Sequence, residues 1–238
     1  MVNERKGWFK AYKGFMKLFR KPTNFKYLGE EINSPSVILS NHVGTNGPLS
    51  FELYLDEPIR FWGAYEMNSG FKSMYRYQTR VFYHEKRGWN IHLARLYCLL
   101  ATPLTHIFYK GLNLISTYKD GRFIKTIKES FDTINNGSNI VLFPEVSNNG
   151  YLDELEGFHK GFVVFLDYAY KKGVDIPVVV TYYHKASNVH LIDNKIMYSQ
   201  LINEYKNFDA VAKYLCDRCN ELGKICQKSY LDSLKDSK

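Results

Sequence analysis

Two short apolar runs, Val37-Ile38-Leu39 and Ile140-Val141-Leu142, each stop abruptly at a polar, turn-forming segment. Runs this short are strands rather than helices, and with no polar residue to face water they are strands buried on both faces. Residues 59–64, 112–117 and 176–183 read as further strands, the last with Pro177 near its start, where a missing N–H is tolerated. Helical periodicity lies between them, over residues 90–109, 122–135, 158–170 and 208–230. The helix over 90–109 is expected to break or kink near Pro103. Residues 23–29 form a short strand or turn, and residues 189–192 and 195–198 are expected to pair around Asp193-Asn194. Strands alternating with helices predict an α/β fold with a mixed, mainly parallel sheet flanked by helices.

The segments leaving two of these strands carry chemistry. Ser40-Asn41-His42-Val43-Gly44-Thr45-Asn46-Gly47-Pro48 leaves the first run, and Phe143-Pro144-Glu145 leaves the second. A histidine and a glutamate at two strand exits mark a candidate site at one edge of the sheet.

Five blocks in order resemble the glycerolipid (lysophospholipid) acyltransferase family over residues 36–182. They are Asn41-His42, Lys119 after Thr117-Tyr118, Phe143-Pro144-Glu145, Phe158-His159-Lys160-Gly161 and Ile176-Pro177-Val178. The resemblance implies an acyltransferase-like α/β domain that moves a fatty acyl group from acyl-CoA or acyl-carrier protein to a lysophospholipid or related lipid hydroxyl. It implies His42 as general base, with a pKa suited to taking the hydroxyl proton. Glu145, Phe143, Pro144, Ser147, Asn41 and Gly44 would shape the acceptor pocket, and Lys119 would hold an anionic group. No metal or resident cofactor is implied; the acyl thioester is a co-substrate. The family usually has Asp where this chain has Gly47, and Gly-Thr-Arg where it has Val146-Ser147-Asn148. Asn46, one residue before Gly47, is a candidate to accept a hydrogen bond from His42, and Glu52 and Glu66 are carboxylates that the sequence does not place relative to it. A lipid-binding relative of the same fold without catalysis is the alternative.

Residues 1–22 are expected to form a separate element. On a helix, Trp8, Phe9, Tyr12, Phe15, Met16 and Phe19 share one side and Lys6, Lys10, Lys13, Lys17, Arg20 and Lys21 the other, with Pro22 as the stop. An aromatic face opposite a basic one predicts an amphipathic helix lying in an anionic membrane interface, through Lys6, Trp8, Phe9, Lys10, Phe15 and Phe19. Each cation near such a leaflet contributes roughly 1 kcal/mol. Residues 23–238 then form a single domain.

Charge supports this division. Residues 1–21 hold seven Lys or Arg against Glu4, a net +6 of the chain's +8. Basicity confined to one amphipathic segment argues against nucleic acid as a partner. Cys98, Cys216, Cys219 and Cys226 lack metal-site spacing and read as buried thiols, which suits the cytoplasmic face of a membrane. No run approaches the ~18–20 consecutive apolar residues of a transmembrane helix; the nearest, residues 96–109, is interrupted by Thr102, Pro103, Thr105 and His106.

Overall fold

Alternate residues of the two apolar runs go to opposite faces of one sheet, and both faces are covered. The computed structural model describes residues 5–146 and 152–235. In chain order its elements are α1 (Gly7–Lys17), β1 (Asn24–Tyr27), β2 (Val37–Ser40), α2 (Asn46–Tyr54), β3 (Ile59–Ala64) and α3 (Tyr65–Asn68). Next come α4 (Phe71–Arg76), prolonged by a π-helical segment (Tyr77–Lys86), then α5 (Ile91–Leu112), β4 (Ile115–Thr117), α6 (Phe123–Asn135) and β5 (Asn139–Leu142). The chain closes with α7 (Gly161–Lys171), β6 (Pro177–His184), β7 (Val189–Ile192), β8 (Ile196–Met197), α8 (Tyr198–Tyr205) and α9 (Phe208–Lys235).

The described strands form one mixed sheet in the order β1-β7-β6-β2-β5-β3-β4, with β8 beside β6. β6, β2, β5, β3 and β4 run parallel, whereas β7 and β8 pair antiparallel with β6. The α/β expectation holds. The hairpin expected around Asp193-Asn194 does not form, because β7 pairs with β6 and β1, and β8 separately with the start of β6. Two strands of four and two residues gain more by each extending a buried sheet than by pairing alone.

Val37, Leu39, Ile140, Leu142, Val178 and Val180 face a core closed by α6, α7, α8 and α9. Ile38, Val141 and Val179 face a second core with Phe51, Leu112 and Phe9. This two-residue alternation is why continuous apolar runs were needed: neither face is wet. The four cysteines are buried free thiols.

α1 is built into the second core. Phe9 is 0% exposed and packs on Phe108 at 5.8 Å. Gly111 makes room for it, since a Cβ there would fall 2.0 Å from the Phe9 ring. Arg5 and Lys13 reach the buried carboxylate of Glu52 on α2 at 2.6 and 2.9 Å, and Arg5 also donates to the Ile59 carbonyl. The first helix is thus integrated into the domain rather than standing apart as residues 1–22. It also ends earlier than Pro22 suggests, tightening into i→i+3 turns over Leu18, Phe19 and Arg20.

α5 runs unbroken through Pro103 for 22 residues, and is long and apolar enough to cross a membrane. The threonines and His106 that interrupt its apolar run do not break the helix; Thr105 Oγ1 donates to the Ala101 carbonyl at 2.6 Å.

Candidate functional site

β2 and β5 are parallel neighbours with Leu39 opposite Leu142, so the segments leaving their carboxyl ends emerge side by side. That brings His42 and Glu145 together at the sheet edge, the place where open α/β sheets form ligand crevices. The Glu145 carboxylate accepts a hydrogen bond from the main chain of His42. Phe143 lies against the His42 ring, edge to face at 5.1 Å, and is itself backed by Phe61 and Phe51.

The turn after His42 is strained. Val43 has φ +42° and Gly44 φ +63°, two successive left-handed residues. For a β-branched valine that conformation is costly, of order 1–3 kcal/mol, and such costs concentrate where geometry serves a site. Burial lowers the His42 pKa to about 4, outweighing the nearby main chain of Gly44 and of His42 itself, which favours the protonated ring. The imidazole is therefore neutral at pH 7, the form able to accept a proton.

Glu145 is pushed the other way. Burial raises its pKa to about 7, against the lowering effects of the His42 main chain and Lys86. It is 7% exposed, and its Oε1 has no hydrogen-bond partner among the described residues. A buried acceptor in that condition is one that a ligand hydroxyl would satisfy. The strand-exit turn is pinned from the far side. Glu145 bridges Phe158, the Val146 N–H donates to the Gly157 carbonyl at 2.8 Å, and the His159 N–H donates to that of Pro144 at 2.7 Å.

Lys86 and Arg87 were not legible as site residues. They end the π-helical segment, midway along the helical excursion between β3 and β4, and this turn reaches the site. Partial desolvation and the charge of Lys119 push Lys86 below the ordinary lysine range, while Glu145 pulls it up. Lys86 in turn disfavours protonated His42. The Arg87 guanidinium lies 4.0 Å from where a Cβ of Gly44 would sit, and stacks over Phe82 at 4.9 Å. Lys86, Arg87 and Lys119 thus supply positive charge that the sequence seemed to lack after Pro144-Glu145. Their only sequence signal is a Lys-Arg pair before Gly88, too common to be read.

Other expectations are corrected. Asn41 is 0% exposed and bridges β2 to β6: its Nδ2 donates to the Tyr183 carbonyl at 3.1 Å and its Oδ1 accepts from the Tyr183 N–H at 2.7 Å. Both amide ends are consumed, so it holds the sheet edge rather than substrate. Asn46 turns its Oδ1 to Arg20 at 3.2 Å, so it does not orient His42. Glu52 is committed to Arg5 and Lys13. Phe9 is core, whereas Lys6, Trp8, Lys10, Phe15 and Phe19 are exposed. Ser147 lies outside the described residues. His190 belongs to a buried network with Ser50 at 2.7 Å and Thr181 at 3.2 Å, and burial lowers its pKa to about 3.

Neither a scan against protein-family models nor a search of curated proteins returns a match to this chain.

Proposed function

We propose that the chain is a membrane-peripheral O-acyltransferase that uses an acyl thioester, from acyl-CoA or acyl-carrier protein, to acylate the hydroxyl of a lysophospholipid or related lipid. The observation that carries this reading is His42 beside Glu145 at adjacent strand ends, the Oε1 of Glu145 meeting no hydrogen-bond partner among the described residues, with Lys86 close by.

In the proposed reaction His42 removes the proton from the acceptor hydroxyl as its oxygen attacks the thioester carbonyl. The C–O ester bond forms, the C–S bond breaks, and the proton passes from His42 to the departing thiolate. Glu145 Oε1 accepts from, or when protonated donates to, an acceptor oxygen and fixes its position. Lys86, Arg87 and Lys119 attract the phosphate groups that both substrates carry; Arg87 adds the planar fork that suits phosphate oxygens. The thioester is already activated, so neither a covalent enzyme intermediate nor a metal enters the scheme.

The test is incubation of the chain with labelled acyl-CoA and acyl-carrier protein and a lysophospholipid series. An ester product lost in His42→Ala supports the proposal; no ester from either donor ends it. A second reading, a lipid-binding relative without catalysis, is favoured by one observation: burial holds the His42 pKa at about 4, which makes the ring a weak base. Lysolipid binding that survives His42→Ala, without turnover in the wild type, would establish that alternative.

A further inference from the structure

Five leucines of α5, Leu93, Leu96, Leu99, Leu100 and Leu104, are each more than half exposed. Soluble surfaces rarely leave so continuous an apolar stripe uncovered. Only the opposite side of the helix is covered. Ala94, Cys98 and Thr102 are buried there, and Thr102 Oγ1 donates to Gln78 on the π-helical segment at 2.8 Å. A protein-covered seam along one side and a return into the core at Leu112 leave α5 lying along the surface of the domain.

Charge says what covers the bare side. Residues 71–112 contain seven Lys or Arg against the lone acid Glu85, a net +6. Residues 1–21 are also net +6, so the basicity is not confined to one segment as the running charge along the chain suggested; with the whole chain at +8, the remainder is net −4. The two basic, apolar segments are packed together through Phe9, Tyr12 and Phe108, and α1 adds exposed Phe15, with Leu18 and Phe19 just beyond it. An apolar face embedded in positive charge fits an anionic lipid leaflet. It does not fit a second copy of the same chain, whose matching segment would repel it.

We infer that the exposed face of α5 is a monotopic membrane-docking surface for an anionic phospholipid leaflet, with α1 as its flank. The helix lies in the interface rather than spanning it. Trp89 and the start of α5 directly follow Lys86 and Arg87, so docking brings the lipid close to the His42–Glu145 site. This inference concerns membrane attachment alone and stands or falls independently of the proposed reaction.

Flotation of the full chain on phosphatidylcholine vesicles with and without phosphatidylglycerol tests it, comparing wild type with the triple variant Leu96→Glu, Leu100→Glu, Leu104→Glu. Wild type is expected to float with the anionic vesicles, and the variant's partitioning to fall by a factor on the order of 100 while its circular dichroism is unchanged. Should the triple variant fail to fold, Leu100→Glu alone, at the most exposed of these positions, replaces it. Equal flotation of variant and wild type would overturn the inference, as would failure of the wild type to float. A wild-type dimer in light scattering that the variant makes monomeric would overturn it in favour of self-association. Wild type resisting alkaline carbonate extraction would make α5 a spanning helix, which also overturns it.

Discussion

A side chain at position 47 would place its Cβ 2.7 Å from the carbonyl oxygen of His42. Gly47 begins the buried side of α2, directly behind the turn that presents His42. Gly47, which stands where the resemblance expects Asp, is therefore a packing requirement of this turn, and not an empty position waiting for a carboxylate. The Cβ position is fixed by its own backbone and its neighbour is a main-chain oxygen, so neither can swing away on a side-chain torsion.

Gly47→Ala should destabilise the domain by about 1–3 kcal/mol, the usual cost of forcing extra atoms into a packed site. Urea unfolding measures it. Gly47→Asp should cost at least as much and leave acyl transfer no faster than in wild type, because the His42 turn must shift to admit it. A gain in rate would show that the turn accommodates a carboxylate after all.

His42→Ala should reduce acyl transfer about 10²–10⁴-fold, the range for a lost general base. The wild-type ring is lowered to about 4 and is neutral well below pH 7. Loss of rate from His42 protonation should thus begin only as the pH nears 4. A profile falling already at the ordinary histidine pKa would contradict the burial of His42.

Lys86→Gln should raise KM for a phosphate-bearing acceptor roughly tenfold while leaving a neutral acceptor unaffected, since one charge-assisted contact is worth a few kcal/mol at most. It should also raise the Glu145 pKa further, because Lys86 is one of the two influences holding it down. Carbon-detected titration of labelled glutamate reads that shift directly. A Glu145 titration unmoved by the substitution would remove Lys86 from the site.

Stability should respond to pH with opposite signs at two buried groups. His190, held near about 3, contributes stability fully above its ordinary 6.5, and that stability is lost as the pH falls from 6.5 towards 3. Glu145, raised to about 7, contributes fully below its ordinary 4.5, and that contribution is lost as the pH rises through 7. Glu145→Gln should therefore gain on wild type progressively between pH 4.5 and 7 and then plateau. Chemical denaturation across the range tests this; a constant difference would mean Glu145 titrates normally.

Removing residues 1–21 should destabilise the domain, and not merely detach it from lipid. Arg5 and Lys13 neutralise Glu52, whose side chain is 1% exposed, and an unpaired buried carboxylate costs about 3–5 kcal/mol. Glu52→Gln should restore part of the loss in the truncated chain. Thermal melts of the three forms decide it, and an unchanged midpoint on truncation would refute the clamp.

Much of the fold was legible because its signals are local. Apolar runs at 37–39 and 140–142 can be nothing but doubly buried strands, and the His42 and Glu145 segments come directly after them. The pairing of β8 was not legible, since two residues carry too little pattern to say which strand they join. Lys86 and Arg87 were missed for a related reason: they lie far from His42 in sequence, and only the folding of the β3–β4 excursion brings them near it.

By itself the sequence determined the strand and helix alternation and the identity of the two turns that leave the buried strands, all properties of neighbouring residues. The tertiary structure decided partnership. It placed Phe9 in the core and Glu52 under Arg5, spent Asn41 on Tyr183 and Asn46 on Arg20, brought Lys86 close to Glu145, and left the leucines of α5 bare. Burial and charge pairing depend on what the rest of the chain brings alongside, and periodicity along one segment does not contain that information.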